Sequence, residues 1–268
     1  MSKISVLMNC FNGAQFINEA IDSVYAQTYL DWEIVFVDNC STDESQVIAS
    51  TYDSNLKVYR TNENVNLGLA RNFGISKCSG EYILFLDVDD IWLPNAIEIL
   101  LALITSGDYA LAYGGHLNIN SDNVNIGRML PKKKKGFIFG NLLKQFDIPI
   151  VGSIISSQHL LESGLSFDGN VHASEEYCLF MQLATRYQFI SVDEPITQYR
   201  IHDNALSNKT ISRRAIERRY TLDKIRRENP QVIIRYQKEF KEAYARAAYY
   251  DAQYFMHIKD NKSATNAL

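Results

Sequence analysis

The sequence has few cysteines, and none of them lie close together. The four cysteines are Cys10, Cys40, Cys78 and Cys178, and no Cys-x-x-Cys pair occurs among them. Structural zinc sites and disulfide frameworks are built from cysteines at short, recurring spacings. The wide spacing therefore argues against both kinds of site, and it fits a protein of the reducing cytosol.

Long apolar runs are also missing. The run ILLALI, residues 99–104, is far shorter than the roughly 18–20 apolar residues that a membrane-spanning helix needs. At the N-terminus, MSKISVLMNCFNG has one lysine and an apolar run too short for a signal peptide. We therefore expect a soluble, cytoplasmic protein, and this expectation leaves room for contact with the inner face of the cell membrane.

Positive charge is not in excess. The 268 residues carry a net charge of −4, and 46% of them are hydrophobic, as in ordinary globular proteins. This balance gives no reason to expect a nucleic-acid partner. The one basic run, residues 132–135, is expected to be a solvated loop; the alternative is contact with a phosphate-bearing acceptor or an anionic membrane surface.

What the first ninety residues do contain is an alternation of strand-like and helix-like segments. The strand candidates are ISVLM, WEIVFVD, LKVYR and YILFLD, and helical spacing occurs between them. Ser41 and Glu44 have the spacing of a capping box, which predicts a helix from there to Tyr52. The alternation predicts an α/β fold with a Rossmann-like, mostly parallel central sheet flanked by helices.

Beyond Pro94 the pattern is less regular. It predicts a helix to about Ile104, a strand in YALAYGG, a polar loop over residues 118–136, and two strand-like runs separated by Pro195. After Ser207 the sequence becomes charged, tyrosine-rich and helical, which predicts a helical C-terminal extension over residues 208–268. That extension has three alternative placements: packed on the core, in a dimer interface, or at a membrane.

Polar side chains follow three of the predicted strands at the point where each strand ends. These clusters are residues 9–12, 38–39 and 87–90. Ligands bind beyond the carboxyl ends of the strands in sheets of this kind, so the three clusters predict a binding edge. Asp87 and Asp89 are spaced to share Mg²⁺ or Mn²⁺ with a nucleotide diphosphate, whereas the alternative is an acidic helix start. Asp38 either caps the next helix or accepts hydrogen bonds from a base or ribose.

Other candidate residues lie outside these strand ends. Glu175 and Glu176 begin an amphipathic helix, where acids either complement the helix dipole or serve as a general base. His202 is either structural or a metal ligand. Arg71 lies on a helix and would ordinarily be solvated, but Asn72 and Gly74 indicate a helix that another segment approaches closely.

Four segments together resemble the family-two glycosyltransferases, whose fold is called GT-A. They are a first strand followed by Phe-Asn-Gly and later VDNCSTD, the block NLGLARNFGISKCSGEYILFLDVDDIWLP, the helix SEEYCLFMQLA, and YRIHDNALS. They occur in family order over roughly three quarters of the chain. The resemblance implies a GT-A domain over residues 1–207, with a nucleotide-binding half at 1–115 and an acceptor-side half at 116–207.

The resemblance also implies roles on the nucleotide side. Asp38 matches the family's contact to a uracil-type base, and Arg71 matches a second nucleotide contact. Asn12 matches the Asn of the family's Tyr-Asn turn, and Asp87 is the first acid of its DXD motif, directed toward the ribose.

For the metal and the base, the resemblance implies Asp89 and His202 as holders of Mn²⁺ or Mg²⁺ and Glu176 as the general base. The family usually has aspartate at this last position. Glutamate is one methylene longer, so either the acceptor lies slightly further away or Glu175 is the base. The acids that hold the leaving group cannot also be the base, because in-line attack places the two on opposite sides of the anomeric carbon.

The expected function is therefore inverting, metal-assisted sugar transfer of the hexosyltransferase class. The expected donor is a nucleotide-sugar, specifically a UDP-sugar, and the acceptor is a hydroxyl of a glycan or lipid-linked glycan. The expected process is polysaccharide, lipopolysaccharide or capsule synthesis. Peripheral membrane contact and a homodimer are further expectations. A phosphohydrolase of the haloacid-dehalogenase type and a sugar-nucleotide pyrophosphorylase are disfavoured, because their characteristic first-strand motifs are absent. The alternative is an inactive nucleotide-sugar-binding homologue that acts as a scaffold.

Overall fold

A mixed β-sheet forms the centre of the computed structural model, which describes residues 3–203 and 205–267. Within these residues the strands are β1 (Ile4–Cys10), β2 (Trp32–Asp38), β3 (Leu56–Arg60), β4 (Tyr82–Asp87), β5 (Ile91–Trp92), β6 (Leu111–Ile119), β7 (Asn125–Met129), β8 (Lys135–Gly136), β9 (Ser153–Ser156) and β10 (Phe189–Arg200).

The strand order is β3-β2-β1-β4-β9-β6-β10-β5, with β7 paired to β6 and β8 to β10. Strands β1 to β4 are parallel, as expected from the βαβ pattern, and β6 and β10 are also parallel to each other. Strand β9 lies between these two parallel groups and runs antiparallel to both β4 and β6. The sheet is therefore parallel on its N-terminal side and mixed beyond β4.

Helices cover both faces of the sheet. In the described residues they are α1 (Ile17–Tyr25), α2 (Ser45–Ala49), α3 (Leu67–Ile75), α4 (Ala96–Ile104), α5 (Phe139–Lys144), α6 (Ser157–Ser163), α7 (Glu175–Ala184), α8 (Leu206–Lys209), α9 (Arg214–Glu228), α10 (Pro230–Arg235), α11 (Gln237–His257) and α12 (Asn261–Ala267). Alternate residues of a strand point to opposite faces. Accordingly, Leu7 and Val35 join one hydrophobic cluster, whereas Met8 and Phe36 join the other.

The C-terminal helices pack on the core. Leu222 and Ile225 of α9, and Phe240 and Ala243 of α11, belong to the same buried cluster as Leu7 of β1. Of the three placements considered for this segment, the structure has the first, while a domain boundary at residue 208 stays a prediction. No helix within residues 3–203 and 205–267 is long and apolar enough to cross a membrane.

The expected capping box is wrong. Helix α2 begins at Ser45, and its N-cap residue, Glu44, makes no side-chain hydrogen bond to the helix end. The Ser41 hydroxyl instead accepts the backbone N–H of Asn12 at 2.9 Å, and the Ser45 hydroxyl accepts that of Gly13 at 2.9 Å. Ser and Thr side chains bond to whichever nearby backbone N–H lacks a partner, and here that N–H belongs to the turn after β1.

Three further expectations need correction. The expected loop at residues 118–136 contains strand β7, which forms an antiparallel hairpin with β6 although its sequence is polar. In the turn that connects the two strands, the Asn120 side chain accepts backbone N–H groups. In the lysine run, Lys134 is mostly buried and its ammonium lies 2.6 Å from Asp147. The two runs around Pro195 are one strand, β10, whose pairing with β6 shifts register there because proline cannot donate to the ladder.

Candidate active site

The carboxyl ends of β1, β2 and β4 lie side by side. In the parallel pairing, Cys10 is opposite Asp38 and Asn9 is opposite Asp87. The three polar clusters that follow these strands therefore meet at one edge of the sheet, as predicted. At this edge the chain leaves each strand and enters a loop, which frees the side chains to face a ligand.

The turn after β1 is held by the loop after β2. Asn12 has a positive φ of 55°, a conformation that Asn tolerates better than most residues. Its side-chain oxygen accepts the backbone N–H of Thr42 at 2.8 Å, and the Asp43 carboxylate accepts that of Ala14 at 3.0 Å. Asn12 therefore shapes the edge beside β2 through contacts with the protein itself.

Asp38 is fully buried at the end of β2. Its carboxylate accepts the backbone N–H of Ser41 at 3.1 Å and pairs with the guanidinium of Arg60 on β3. The neighbouring Asn39 accepts the backbone N–H of Val65 at 3.0 Å and donates to the carbonyl of the same residue at 2.7 Å. The loop is thus fixed on both sides of Asp38, although contact between Asp38 and a nucleotide base stays a prediction.

The acidic cluster after β4 divides into side chains with different surroundings. Asp87 and Asp89 are partly exposed, and the Asp89 carboxylate lies 3.0 Å from Nε2 of His202. Burial raises the pKa of Asp89, the charge of Asp87 adds to that increase, and His202 opposes it. The His202 ring also packs against Phe16, with ring centroids 5.3 Å apart. The structure therefore brings the two predicted metal ligands together.

Asp90 faces away from this edge and is buried. It accepts the backbone N–H of Arg200 at 2.7 Å, which ties the end of β10 to the turn after β4. Arg200 is itself buried and donates to the backbone carbonyl of Asp89 at 2.8 Å and to Glu19 at 2.8 Å. Asp90 therefore has a structural role, as a link between β10 and the turn after β4.

Arg71 connects the edge of the sheet to α7. Its side chain is 2% exposed; Nη2 donates to Asp87 at 2.8 Å and Nη1 to Glu175 at 2.5 Å. The close approach expected from the residues next to it is confirmed, since Asn72 bonds to the backbone of Phe167 and a Cβ at Gly74 would lie 2.2 Å from Leu7. A direct contact between Arg71 and a nucleotide stays a prediction.

Glu175 and Glu176 lie in the first turn of α7 with different surroundings. Glu175 is buried and is bound to Arg71. Glu176 is half-buried, and its carboxylate makes no ion pair with any described residue. Burial raises the pKa of Glu176 to about 7, the negative charge of Glu175 adds to the increase, and Arg218 and Arg71 oppose it. The two glutamates therefore differ in surroundings and, for Glu176, in a raised pKa, while the role of general base stays a prediction.

A cavity of about 310 Å³ brings five of the eight predicted site residues together. Its wall includes Arg71, Asp87, Asp89, Glu175 and Glu176. Asp38, Asn12 and His202 are not part of the wall. The acids after β4 and the first turn of α7 thus face one shared space, although they are about ninety residues apart in the sequence.

The donor groups at this edge suit a hard divalent cation only in part. Among the described residues, no group of three or more His, Cys, Asp or Glu side chains is arranged to hold a metal ion. Mg²⁺ and Mn²⁺ sites in nucleotide enzymes commonly use one or two carboxylates and take their other ligands from phosphate oxygens. Asp89 and His202, with Asp87 nearby, fit that pattern and would leave positions open for a diphosphate.

Sequence reasoning missed three residues around this site. Arg200 immediately follows Tyr199 in the YRIH segment, so the motif that led to His202 also contained it. Asp147 lines the cavity and is paired with Lys134, but no sequence pattern links these two residues, which lie in separate loops. Arg218 lies on α9 among many other arginines, and only the folded structure distinguishes it from them.

The comparison with protein families agrees with this geometry. The chain matches the model of glycosyl transferase family 2 over residues 5–158, which is more than half of its 268 residues. The chain belongs to this family.

Curated relatives are 23–28% identical to the chain over the aligned segments. A β-1,3-glucosyltransferase of Escherichia coli, named UDP-Glc:α-D-GlcNAc-diphosphoundecaprenol β-1,3-glucosyltransferase WfgD, is 26% identical over 208 residues, covering 76% of this chain and 79% of that protein. A putative teichuronic acid biosynthesis glycosyltransferase of Bacillus subtilis, TuaG, is 23% identical, with coverage of 76% and 81%. An uncharacterized glycosyltransferase of Rickettsia felis is 28% identical over 75% of this chain, but the match spans only 33% of that longer protein.

Solved structures confirm the GT-A fold. The S. aureus TarS fragment 1–349 in complex with UDP-GlcNAc superposes with a TM-score of 0.73 at 16% identity, covering 99% of this chain and 90% of that one. A mannosyltransferase of Pyrobaculum calidifontis in complex with GDP-Man and Mn²⁺ gives a TM-score of 0.68 at 16% identity, with coverage of 99% and 74%.

Proposed function

We propose that this chain is an inverting glycosyltransferase. It moves a sugar from a UDP-sugar donor to a hydroxyl of a glycan or lipid-linked glycan. The observation that carries the proposal is the arrangement of acids around one cavity. Asp87 and Asp89 line one part of it, and Glu176, with its pKa raised to about 7, lines another. Displacement at a sugar carbon needs a leaving-group site and a base that are separate from each other.

The donor is proposed to bind along the edge formed by β1, β2 and β4. Asp38 would contact the base and Asp87 the ribose, while Asn12 shapes the adjacent turn. Arg71 bonds to Asp87 and so orients the carboxylate toward the ribose. Support for a UDP donor comes from the E. coli relative, whose name specifies UDP-Glc, and from the TarS complex with UDP-GlcNAc.

Asp89 and His202 would hold the divalent metal beside the donor diphosphate. Mn²⁺ or Mg²⁺ bound there would supply positive charge to the leaving phosphate. The mannosyltransferase complex, which contains Mn²⁺ with GDP-Man, supports a metal in this fold. Asp90 and Arg200 position the backbone that carries Asp89 and His202.

Glu176 is proposed to be the general base. The acceptor oxygen forms a bond to the anomeric carbon, its proton passes to the Glu176 carboxylate, and the bond to the diphosphate breaks with its electron pair on the departing nucleoside diphosphate. The carboxylate must be ionised to accept the proton, and a pKa near 7 leaves it partly ionised at neutral pH while making it a stronger base. Glu175 is assigned a positioning role, since its carboxylate is bound to Arg71.

The acceptor is proposed to be a glycan or a lipid-linked glycan used in polysaccharide synthesis. The E. coli relative is named for a diphosphoundecaprenol acceptor, and the B. subtilis relative for teichuronic acid biosynthesis. Contact with the inner face of the cell membrane would follow for a lipid-linked acceptor. Membrane contact and a homodimer stay predictions.

A thermal-shift screen of nucleotide sugars with and without Mn²⁺ tests the donor and the metal together. A ligand at a hundred times its Kd stabilises the folded chain by about 2.7 kcal/mol, which raises Tm measurably. We expect one UDP-sugar to raise Tm in the presence of Mn²⁺, and the Asp89→Ala variant to lose the Mn²⁺-dependent part. Asp193→Ala, at an exposed aspartate, is the matched control and should respond like the wild type.

Transfer activity separates the enzyme from a scaffold that only binds. Release of UDP from the stabilising donor, measured with and without a panel of glycan acceptors, should be accelerated by an acceptor in the wild type. A chain that binds the donor but releases UDP no faster than buffer with every acceptor would support the scaffold alternative.

A further inference from the structure

A second cavity, of about 240 Å³, lies where α5, α7, α9 and α11 meet. Arg218 of α9 and Arg246 of α11 line it together with aromatic side chains, Phe146, Tyr177 and Tyr250. No aspartate or glutamate is among the described residues that line it. A cavity with two guanidinium groups and no lining carboxylate is electrostatically suited to an anion.

Arg218 is held in place by aromatic rings. Its guanidinium carbon lies 3.6 Å from the ring centre of Tyr177, 5.3 Å from that of Phe146 and 5.6 Å from that of Tyr250. Stacking uses the flat face of the guanidinium, and the N–H groups of Arg218 that do not bond to the Tyr177 hydroxyl are available for a bidentate contact. No carboxylate of the described residues lies within 4 Å of Arg218 to form an ion pair, unlike Arg219, which pairs with Asp251 at 2.7 Å.

Arg246 is only lightly engaged. Its one hydrogen bond to the described part of the chain runs from Nη1 to the carbonyl of Leu143 at 3.4 Å, which is long for such a bond. The positive charges of Arg218 and Arg246 both act on the Tyr177 hydroxyl from within the protein. Both guanidinium groups are therefore near the same buried ring.

The second cavity adjoins the first on the side of the base. Phe146 lines both cavities, and Tyr177, in the wall of the second, directly follows Glu176, in the wall of the first. The charge of Arg218 also acts on Glu176. A molecule whose hydroxyl approaches Glu176 thus has the two arginines next to it, away from the acids after β4.

We propose that Arg218 and Arg246 bind a phosphate group of the acceptor, so that the substrate class is a phosphate-linked glycan. The inference rests on the proposed function, because it takes Glu176 as the place where the acceptor hydroxyl reacts. Guanidinium groups match the geometry of phosphate oxygens and bind them through paired hydrogen bonds. A neutral glycan would leave two guanidinium groups facing a polar but uncharged ligand.

The test measures phosphate binding to the full chain after the nucleotide site has been filled with UDP and Mg²⁺. Three probes are titrated: inorganic phosphate, a panel of hexose 1-phosphates, and the matching methyl hexosides without phosphate. We expect the best hexose 1-phosphate to bind more tightly than inorganic phosphate, and the methyl hexosides to give no shift in Tm. Hexose 1-phosphates that bind no better than free phosphate would overturn the acceptor assignment.

Variants assign the binding to the second cavity. Arg218→Gln and Arg246→Gln should each raise the Kd for hexose 1-phosphate by about tenfold or more, since each removes a charge-assisted contact. Arg218→Lys, which keeps the charge but not the paired donors, should fall between them and the wild type. Arg227→Gln, at an exposed arginine of α9, is the control and should bind like the wild type.

Each shift in Tm is measured against the ligand-free protein of the same variant, so a purely structural role of Arg218 would not change it. Equal phosphate binding in the wild type and in both glutamine variants would overturn the proposal, as would no phosphate binding in the wild type. A chain that fails to bind UDP in the first step contradicts the proposed function instead. The two failures are therefore distinguishable.

Discussion

Two pairs of neighbouring acids lie at or beside the main cavity, and the two members of each pair have opposite surroundings. After β4, Asp89 is partly exposed beside His202, whereas Asp90 is buried against the backbone of Arg200. At the start of α7, Glu176 is half-buried in the cavity wall, whereas Glu175 is bound to Arg71. In each pair, an arginine from elsewhere in the chain bonds to one acid, and the other acid lines the cavity without a contact to that arginine.

The pairs differ in what determines their position. The acids after β4 follow from the register of parallel strands, in which Asn9 is opposite Asp87. The acids of α7 depend on an ion pair between residues 104 positions apart, from Arg71 to Glu175. The first arrangement is set by local pattern and the second by tertiary contact. The comparison teaches that neighbouring acids in a sequence are distinguished by their distant partners.

The largest expected effect is the loss of transfer rate when Glu176, the acid of α7 that does not bond to Arg71, is replaced. Glu176→Gln removes the proposed proton acceptor, so we expect the rate of sugar transfer to fall by about 10² to 10⁴-fold, the usual contribution of a general base. UDP binding should stay within twofold of the wild type, because the acids after β4 are unchanged. Transfer is measured under single-turnover conditions at saturating donor.

Glu228→Gln, at an exposed glutamate of α9, is the matched control and should transfer at the wild-type rate. A Glu176→Gln protein that transfers sugar as fast as this control would show that the two acids of α7 have the reverse roles, or that neither is the base.

Much of the nucleotide-side edge was predictable from the sequence. Continuous apolar runs that end in Asp38 and Asp87 indicate buried parallel strands, and parallel strands bring their carboxyl ends together. His202 and the glutamates of α7 were candidates from their local sequence, and the family resemblance added their expected roles. These predictions depend on short-range pattern, which a single sequence displays directly.

The rest was not predictable, because it depends on which distant groups meet. Ser41 and Glu44 match a capping box, but the Ser41 hydroxyl accepts the backbone N–H of Asn12, in the turn after β1, instead of an N–H of the helix. The family resemblance favoured Glu176 over Glu175 as the base, but the sequence did not show that Glu175 is bound to Arg71. Arg218 and Arg246 lie in helices full of charge, and their shared cavity exists only in the folded chain.

The next prediction compares the two acids of α7 by the stability of the folded chain. Glu175→Gln leaves Arg71, which is 2% exposed, with Asp87 as its remaining carboxylate partner. Because Asp87 still compensates the charge of Arg71, we expect the loss of one charge-assisted hydrogen bond, about 1.5–3 kcal/mol, in the free energy of unfolding. Urea denaturation measures it from the shift of the midpoint at constant slope.

Glu176→Gln is the matched comparison in the same helix turn, and it should cost far less, since its carboxylate has no ion pair to lose among the described residues. If both substitutions lowered stability equally, the contrast between a held acid and a free acid in α7 would be wrong.

The smallest effect concerns pH, and it tests whether the two acids of α7 act on each other. Glu176 must be ionised to accept a proton, and its pKa is raised to about 7, so transfer should decline as pH falls through 7. Well below the midpoint, the rate should fall about tenfold for each pH unit, since the ionised fraction of a single acid falls in that proportion. Stopped assays from pH 5.5 to 8.5 at saturating donor measure the profile.

Removing the negative charge of Glu175 should move this midpoint to lower pH, because that charge is the second cause of the raised pKa after burial. The direction follows from electrostatics: with one negative neighbour fewer, ionisation of Glu176 costs less, and the base stays active in more acidic solution. A midpoint in Glu175→Gln that equals or exceeds that of the wild type would mean that Arg71 shields the two carboxylates from each other. Glu175 would then affect Glu176 only by keeping the first turn of α7 in place.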